Sequence, residues 1–258
     1  MLTTIKSYLK FLYNSKNEHG VHSPFVFDLV TKCFYDKTKH PDYSILKNYR
    51  KSLLENSNFI EVTDFGAGSR VFKSNKRQIS KIAKTAGIST KRAELLYRMV
   101  RYFQPENILE IGTSLGLATS ALSLGNKNSV LKTLEGCPNT MSIAKSQCQL
   151  QNLNNIELVN TEFSSYLKTA TNNCDWKLIY FDGNHSKQAT LDYFELLLPT
   201  ITNETVWIFD DIHWSKDMEE AWETIKNHPK VTVTIDTFQW GIVFFRTEQE
   251  KEHFIIRT

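Results

Sequence analysis

At 258 residues, with 41% hydrophobic residues, 23% charged residues and a formal net charge of +3, the chain has the make-up of a globular protein with room for one large α/β domain, or a core domain with an appendage. That balance excludes general disorder and gives no basic field for a nucleic-acid partner. No apolar run approaches the roughly 18 residues of a membrane span. Lysines also interrupt the apolar pattern of the N-terminus, so no membrane segment and no secretory signal are expected and the chain is placed in the cytoplasm.

Residues 1–88 read as a mainly helical extension. Ile5, Tyr8, Leu9 and Leu12 fall at helical spacing and predict an amphipathic helix packed on the rest of the protein. The stretch from His19 to Phe25 offers two histidines and an aromatic ring, suited either to a lid over a substrate or to a packing loop. The loop from Asp64 to Arg70 imitates a glycine motif, yet no strand and helix of the right kind flank it, and it reads as a turn. Lys73, Lys76, Arg77, Lys81 and Lys84 read as a solvated helix face. Cys33, Cys137, Cys148 and Cys174 show no metal-site spacing and no disulfide framework, and are expected as small buried thiols.

From residue 89 to 258 helices alternate with apolar strands, which predicts a second domain built on a parallel sheet. Leu96, Met99, Val100 and Phe103 line one face of a helix from Thr90 to Phe103, started by Ser89 or Thr90 and stopped by Pro105. A strand over 107–111 runs into Gly112 and a helix from Leu117. A second strand, from Val130, ends at Glu135, and Pro138 opens the next helix. Strands follow over 156–159, 177–181 and 206–209, the last two ending at Asp182 and Asp210. A helix carries Met218, Ala221, Trp222 and Ile225 on one face. Strands over 231–235 and 241–246 are too close in sequence to be parallel and predict an antiparallel terminal hairpin. The fold class is therefore α/β: a Rossmann-like, doubly wound sheet, mostly parallel, with a C-terminal hairpin.

Ligands of such sheets bind beyond the carboxyl ends of the strands. Those ends hold Glu110 and Gly112, Glu135, Thr161 and Glu162, Asp182 to His185, and Asp210 to His213. The turn Gly112-Thr113-Ser114-Leu115-Gly116 lets a ligand approach backbone N–H groups at a helix start. Its G-x-x-x-G spacing fits neither the dinucleotide nor the phosphate-loop pattern. Glu135 can accept both ribose hydroxyls of an adenosine moiety, a property that nicotinamide enzymes share.

From Ile88 to Arg246 the chain resembles the class I methyltransferases, and within them the metal-assisted O-methyltransferases of the catechol and caffeoyl-CoA type. The glycine turn after Leu109-Glu110-Ile111 is similar to theirs, as is the stretch Gly87-Ile88-Ser89 ahead of the helix. Where the family carries Gly-Asp, Asp-Ala-Asp-Lys and Asp-Asn-x-x-Trp, this chain has Thr161-Glu162, Asp182-Gly183-Asn184-His185 and Asp210-Asp211-Ile212-His213-Trp214. The resemblance implies S-adenosylmethionine as cofactor, held by Ser89, Glu110, Gly112, Thr113, Ser114, Gly116, Glu135, Glu162 and Asp182. It implies Asp182, Asp210 and Asp211 as oxygen ligands for Mg²⁺ or another divalent cation. His185 stands where the family has a lysine base, and Asp182 and His213 complete the candidate catalytic set. Asp211 for Asn and His185 for Lys depart from the family and leave open a metal-free deprotonation by His185 or His213, with packing beside Trp214 as the other reading of His213. The expected reaction is methyl transfer to a hydroxyl of a small-molecule acceptor, with no nucleic-acid or membrane partner; the relatives often form homodimers, and the oligomeric state of this chain stays open. A nicotinamide-dependent oxidoreductase and a non-catalytic S-adenosylmethionine-binding module are the alternatives.

Overall fold

A computed structural model describes residues 2–65, 68, 72–170 and 175–258. Helix α1 (Leu2–Asn14) is followed by the short α2 (Pro24–Leu29), whose start is fixed by Pro24 and by Ser23 Oγ accepting from the N–H of Val26. A π-helical turn (Val30–Phe34) continues α2, and α3 (Tyr43–Leu54) follows. The antiparallel strands β1 (Phe59–Glu61) and β2 (Lys76–Gln78) lead into α4 (Ile79–Thr85) and α5 (Thr90–Phe103). The alternation then runs β3 (Asn107–Ile111), α6 (Leu117–Gly125), β4 (Val130–Glu135), α7 (Pro138–Leu150) and β5 (Ile156–Asn160). It continues with α8 (Phe163–Ala170), β6 (Leu178–Phe181), α9 (Lys187–Leu197), β7 (Val206–Asp210) and α10 (Lys216–Asn227). It closes with β8 (Val233–Asp236), β9 (Trp240–Phe244) and β10 (Glu252–Ile255).

The chain divides into two compact units, residues 36–163 and residues 1–35 with 164–258. In the first unit β3, β4 and β5 are parallel, with Ile111 opposite Leu134 and Leu134 opposite Val159, so their carboxyl ends are in step. Ile108, Leu109 and Ile111 are fully buried, as are Leu96, Met99 and Val100 of α5. Each such side chain contributes at most about 1.5–3 kcal/mol of burial energy. Gln104 ends α5 in the left-handed region, one residue before Pro105.

In the second unit β6 and β7 are parallel, with Phe181 opposite Phe209, while β9 runs antiparallel to both β7 and β8. The expected hairpin is thus present, and Met218, Ala221, Trp222 and Ile225 are all buried. The strand order is β10-β8-β9-β7-β6 in this unit and β3-β4-β5 in the other, and the fold is the mostly parallel, Rossmann-like sheet expected, with helices between its strands and a helical N-terminal region.

Three features differ from expectation. Strand β10 pairs parallel with β8 at the sheet's edge, and its exposed Glu252 and His253 hide it from an apolar-run reading. Helix α1 forms, but Ile5, Tyr8 and Leu9 are 54%, 45% and 60% exposed, and the buried anchor is Phe11 on another face. The segment after His19 is a packing element: Phe25 meets Phe244 edge-on at 5.0 Å, and the Arg246 guanidinium lies over it at 4.4 Å. Lys76 and Arg77 lie in β2, whereas Lys81 and Lys84 lie on α4. Cys33, Cys137 and Cys148 are free and buried; Cys174 and most of the loop after Phe65 lie outside the described residues. Among the described residues no helix is long and apolar enough to cross a membrane.

Candidate active site

In residues 36–163 the ends of β3 and β4 are tied to each other. The N–H groups of Gly112 and Thr113 both donate to the carbonyl of Leu134, at 3.0 and 3.1 Å. The turn closes through the N–H of Gly116 to the carbonyl of Thr113, with Gly112, Ser114 and Gly116 all at positive φ. That geometry aims the Ser114 N–H at Oε2 of Glu135, 2.7 Å away, while Oε1 of Glu135 accepts from Cys137 N–H at 2.8 Å. Burial pushes the Glu135 carboxyl above its ordinary range, against the lowering effect of those two N–H donors. The end of β5 secures the same backbone: Asn160 Nδ2 donates to the carbonyls of Glu135 and Gly136, and Thr161 N–H to that of Glu135.

The other expected cofactor residues are spread around this centre. Glu110 is fully buried; its Oε2 accepts from the hydroxyls of Thr119 and Thr133, both at 2.6 Å, tying β3 to α6 and β4. Thr113 is turned inward, its hydroxyl 2.5 Å from that of Thr133. Ser89 caps α5, its Oγ accepting from Arg92 N–H at 3.3 Å, and Glu162 is exposed beyond β5. Sequence reasoning missed Tyr49 on α3. Its hydroxyl donates to the carbonyl of Leu115 at 3.0 Å and occupies the space where a side chain on Gly116 would begin.

In the second unit Asp182, Asn184, His185, Asp210, Asp211 and His213 follow β6 and β7. Asn184, His185 and Asp211 are non-glycine residues at φ of 70°, 39° and 54°, a strain that tends to gather at functional positions. His185 Nε2 lies 3.4 Å from Asp182 Oδ1. Burial opposes the charge on His185, but the Asp182 bond and the carboxylates of Asp182, Asp211 and Asp210 outweigh it and raise the imidazole to about 9. Burial and the neighbouring Asp210 push Asp182 upward as well. The pair thus holds its proton strongly.

His213 is bound at both ring nitrogens, Nδ1 at 3.0 Å from Glu219 Oε1 and Nε2 at 2.8 Å from Asp236 Oδ2. Both partners only accept when ionised, so both nitrogens donate and the ring has no lone pair free for a substrate proton. Its plane stacks on Phe238 at 5.1 Å, and α1 joins the cluster through Ser7 Oγ on Glu219 and Tyr8 edge-on to Phe238. This geometry makes His213 a clamp. Asp210 is 4% exposed, and its Oδ1 accepts from Asp211 N–H at 2.9 Å. Among the described residues no group of three or more His, Cys, Asp or Glu is arranged to hold a metal ion. Asp182 does have Asp210 and Asp211 as charged neighbours, each raising its protonation.

Residues 109–212 match the family described as a methyltransferase domain. That match spans less than half of the chain. Solved methyltransferases share its fold at low sequence identity. A Podospora anserina methyltransferase bound to S-adenosylhomocysteine is 14% identical, with a TM-score of 0.62 over 88% of this chain and 97% of that one. A Bacillus cereus O-methyltransferase, also with S-adenosylhomocysteine, is 20% identical, with a TM-score of 0.54 over 82% and 94% of the two chains. A Staphylococcus aureus protein assigned as a caffeoyl-CoA O-methyltransferase is 14% identical, with a TM-score of 0.56 over 65% and 88%. No curated protein matches the chain in sequence.

Proposed function

We propose that this chain is a methyltransferase that takes S-adenosylmethionine as donor and a hydroxyl oxygen of a small molecule as acceptor. The observation that carries the donor assignment is the convergence of Ser114 N–H and the Glu135 carboxylate at the tips of β3 and β4. Both Glu135 oxygens are oriented by backbone N–H groups, and the carboxylate so held is the acceptor assigned to the two vicinal ribose hydroxyls. When bound, the donor supplies an electrophilic methyl on a sulfonium sulfur. Its methyl would pass from sulfur to the acceptor oxygen, and the residue assigned to take the hydroxyl proton is His185 in its neutral form. With its ring raised to about 9, His185 accepts a proton only after losing the one it holds, so the reading expects turnover to rise as pH climbs toward that value. Asp182 orients the imidazole and stabilises the imidazolium. No step is assigned to a divalent ion, and the EDTA arm of the test below decides whether Asp182, Asp210 and Asp211 hold one.

The test is incubation with S-adenosylmethionine and a panel of phenols and alcohols, with and without EDTA, and mass spectrometry of the products. The reading expects S-adenosylhomocysteine and a methyl ether in equal amounts, insensitive to EDTA, and loss of turnover in His185→Ala with donor binding retained. Turnover that vanishes with EDTA and returns with Mg²⁺ would sink the metal-free part. Oxidation of an alcohol with NAD would sink the whole.

A further inference from the structure

Gly136 directly follows Glu135, and its backbone does not need glycine, since its φ is not positive. What excludes a side chain there is Phe65. A β-carbon on Gly136 would lie 2.7 Å from Cδ2 and 3.0 Å from Cε2 of the Phe65 ring. The ring therefore fills the place of the side chain that β4 itself lacks, one residue beyond the carboxylate assigned to the ribose.

The segment that delivers Phe65 is fastened to the start of α7. Thr63 N–H donates to Cys137 Sγ at 3.4 Å, and Asn139 Nδ2 donates to the carbonyl of Glu61 at 2.7 Å. On the other side β1 pairs with β2, and Arg77 of β2 bonds Asp64 at 3.1 Å. A phenylalanine ring so held would ordinarily be buried for the energy it gains, yet Phe65 is 57% exposed. One part of the ring packs on the Gly136 backbone and the rest is open. An anchored aromatic with an open face beside a ribose-binding carboxylate suits a planar heteroaromatic base, because base–aromatic stacking needs only such a face.

We propose that Phe65 is a platform for the nucleobase of the donor, supplied by the N-terminal segment to a strand end that has glycine where a packing side chain would stand. The proposal rests on the assignment of S-adenosylmethionine as donor and gives residues 59–65 a part in selecting it. It also accounts for Gly136, since a larger residue there would displace the ring.

The test is calorimetric titration of S-adenosylhomocysteine and, separately, of adenosine into the full chain and into Phe65→Ala, Phe65→Tyr and the double variant Phe65→Ala/Gly136→Val. Phe65→Ala is expected to weaken both ligands by the same factor, on the order of tenfold. Phe65→Tyr should bind as the wild type does. The double variant should recover part of the loss, because valine restores an apolar surface from β4 itself. An equal factor for adenosine separates base contact from a disturbance of the amino-acid end, and an unchanged melting temperature shows that the exposed ring is not a folding residue. Unchanged or tighter binding by Phe65→Ala overturns the platform. Absence of S-adenosylhomocysteine binding by the wild type sinks the donor assignment, and the platform with it.

Discussion

The phenolic oxygen of Tyr49 stands where a β-carbon on Gly116 would lie, and it donates to the carbonyl of Leu115 at 3.0 Å. The glycine turn is thus shaped from outside by a helix of the N-terminal region as well as by its own sequence. Gly116 meets two demands, a φ of 80° and room for the hydroxyl.

Gly116→Ala is expected to lower stability by about 2–4 kcal/mol, from the left-handed backbone and the collision together. Tyr49→Phe leaves the Leu115 carbonyl without its donor and costs about 1–3 kcal/mol. The double variant should lose clearly less than the sum, because removing the hydroxyl relieves the collision. Urea unfolding of the four proteins checks this. Additive losses would show that the hydroxyl does not govern Gly116.

Donor affinity should depend on pH through Glu135. Only the ionised carboxylate accepts from both ribose hydroxyls without presenting a proton of its own, and burial has raised its protonation above the ordinary carboxylate range. Affinity is therefore full on the alkaline side and falls as pH drops through that raised value, starting at higher pH than an exposed glutamate would allow. Glu135→Gln should bind more weakly at neutral pH and lose this slope. Parallel slopes in both proteins would assign the dependence to another group.

His213→Ala separates a clamp from a catalyst. It leaves Glu219 and Asp236 facing each other without the imidazolium between them, and it should cost about 2–4 kcal/mol of stability. Turnover per folded molecule, measured well below the melting transition, should stay within a few-fold of the wild type. A stable variant without turnover would return His213 to the chemistry.

The parallel strands were legible because buried β-strands are continuous apolar runs, as in Leu178–Phe181 and Val206–Asp210, and polar residues mark where each stops. The ring of Phe65, the hydroxyl of Tyr49 and the partners of His213 were not legible. Each meets its partner across long sequence separations, such as Tyr49 with Leu115 or His213 with Asp236, and no local pattern encodes such a meeting. The buried face of α1 was misread for a related reason. Helical periodicity finds an apolar stripe but not the surface it meets, and here Phe11 is buried while Ile5 and Leu9 face outward. The strained backbone at Asn184, His185 and Asp211 likewise belongs to the folded loops and has no glycine to announce it.

The central claim is that the tips of β3 and β4 hold S-adenosylmethionine through Glu135. Calorimetric titration of S-adenosylmethionine and of NAD into the wild type and into Glu135→Ala tests it most directly. The account predicts micromolar binding of S-adenosylmethionine to the wild type, at least tenfold weaker binding to the variant, and no heat from NAD. Binding of NAD alone, or equal binding of S-adenosylmethionine by both proteins, would contradict it.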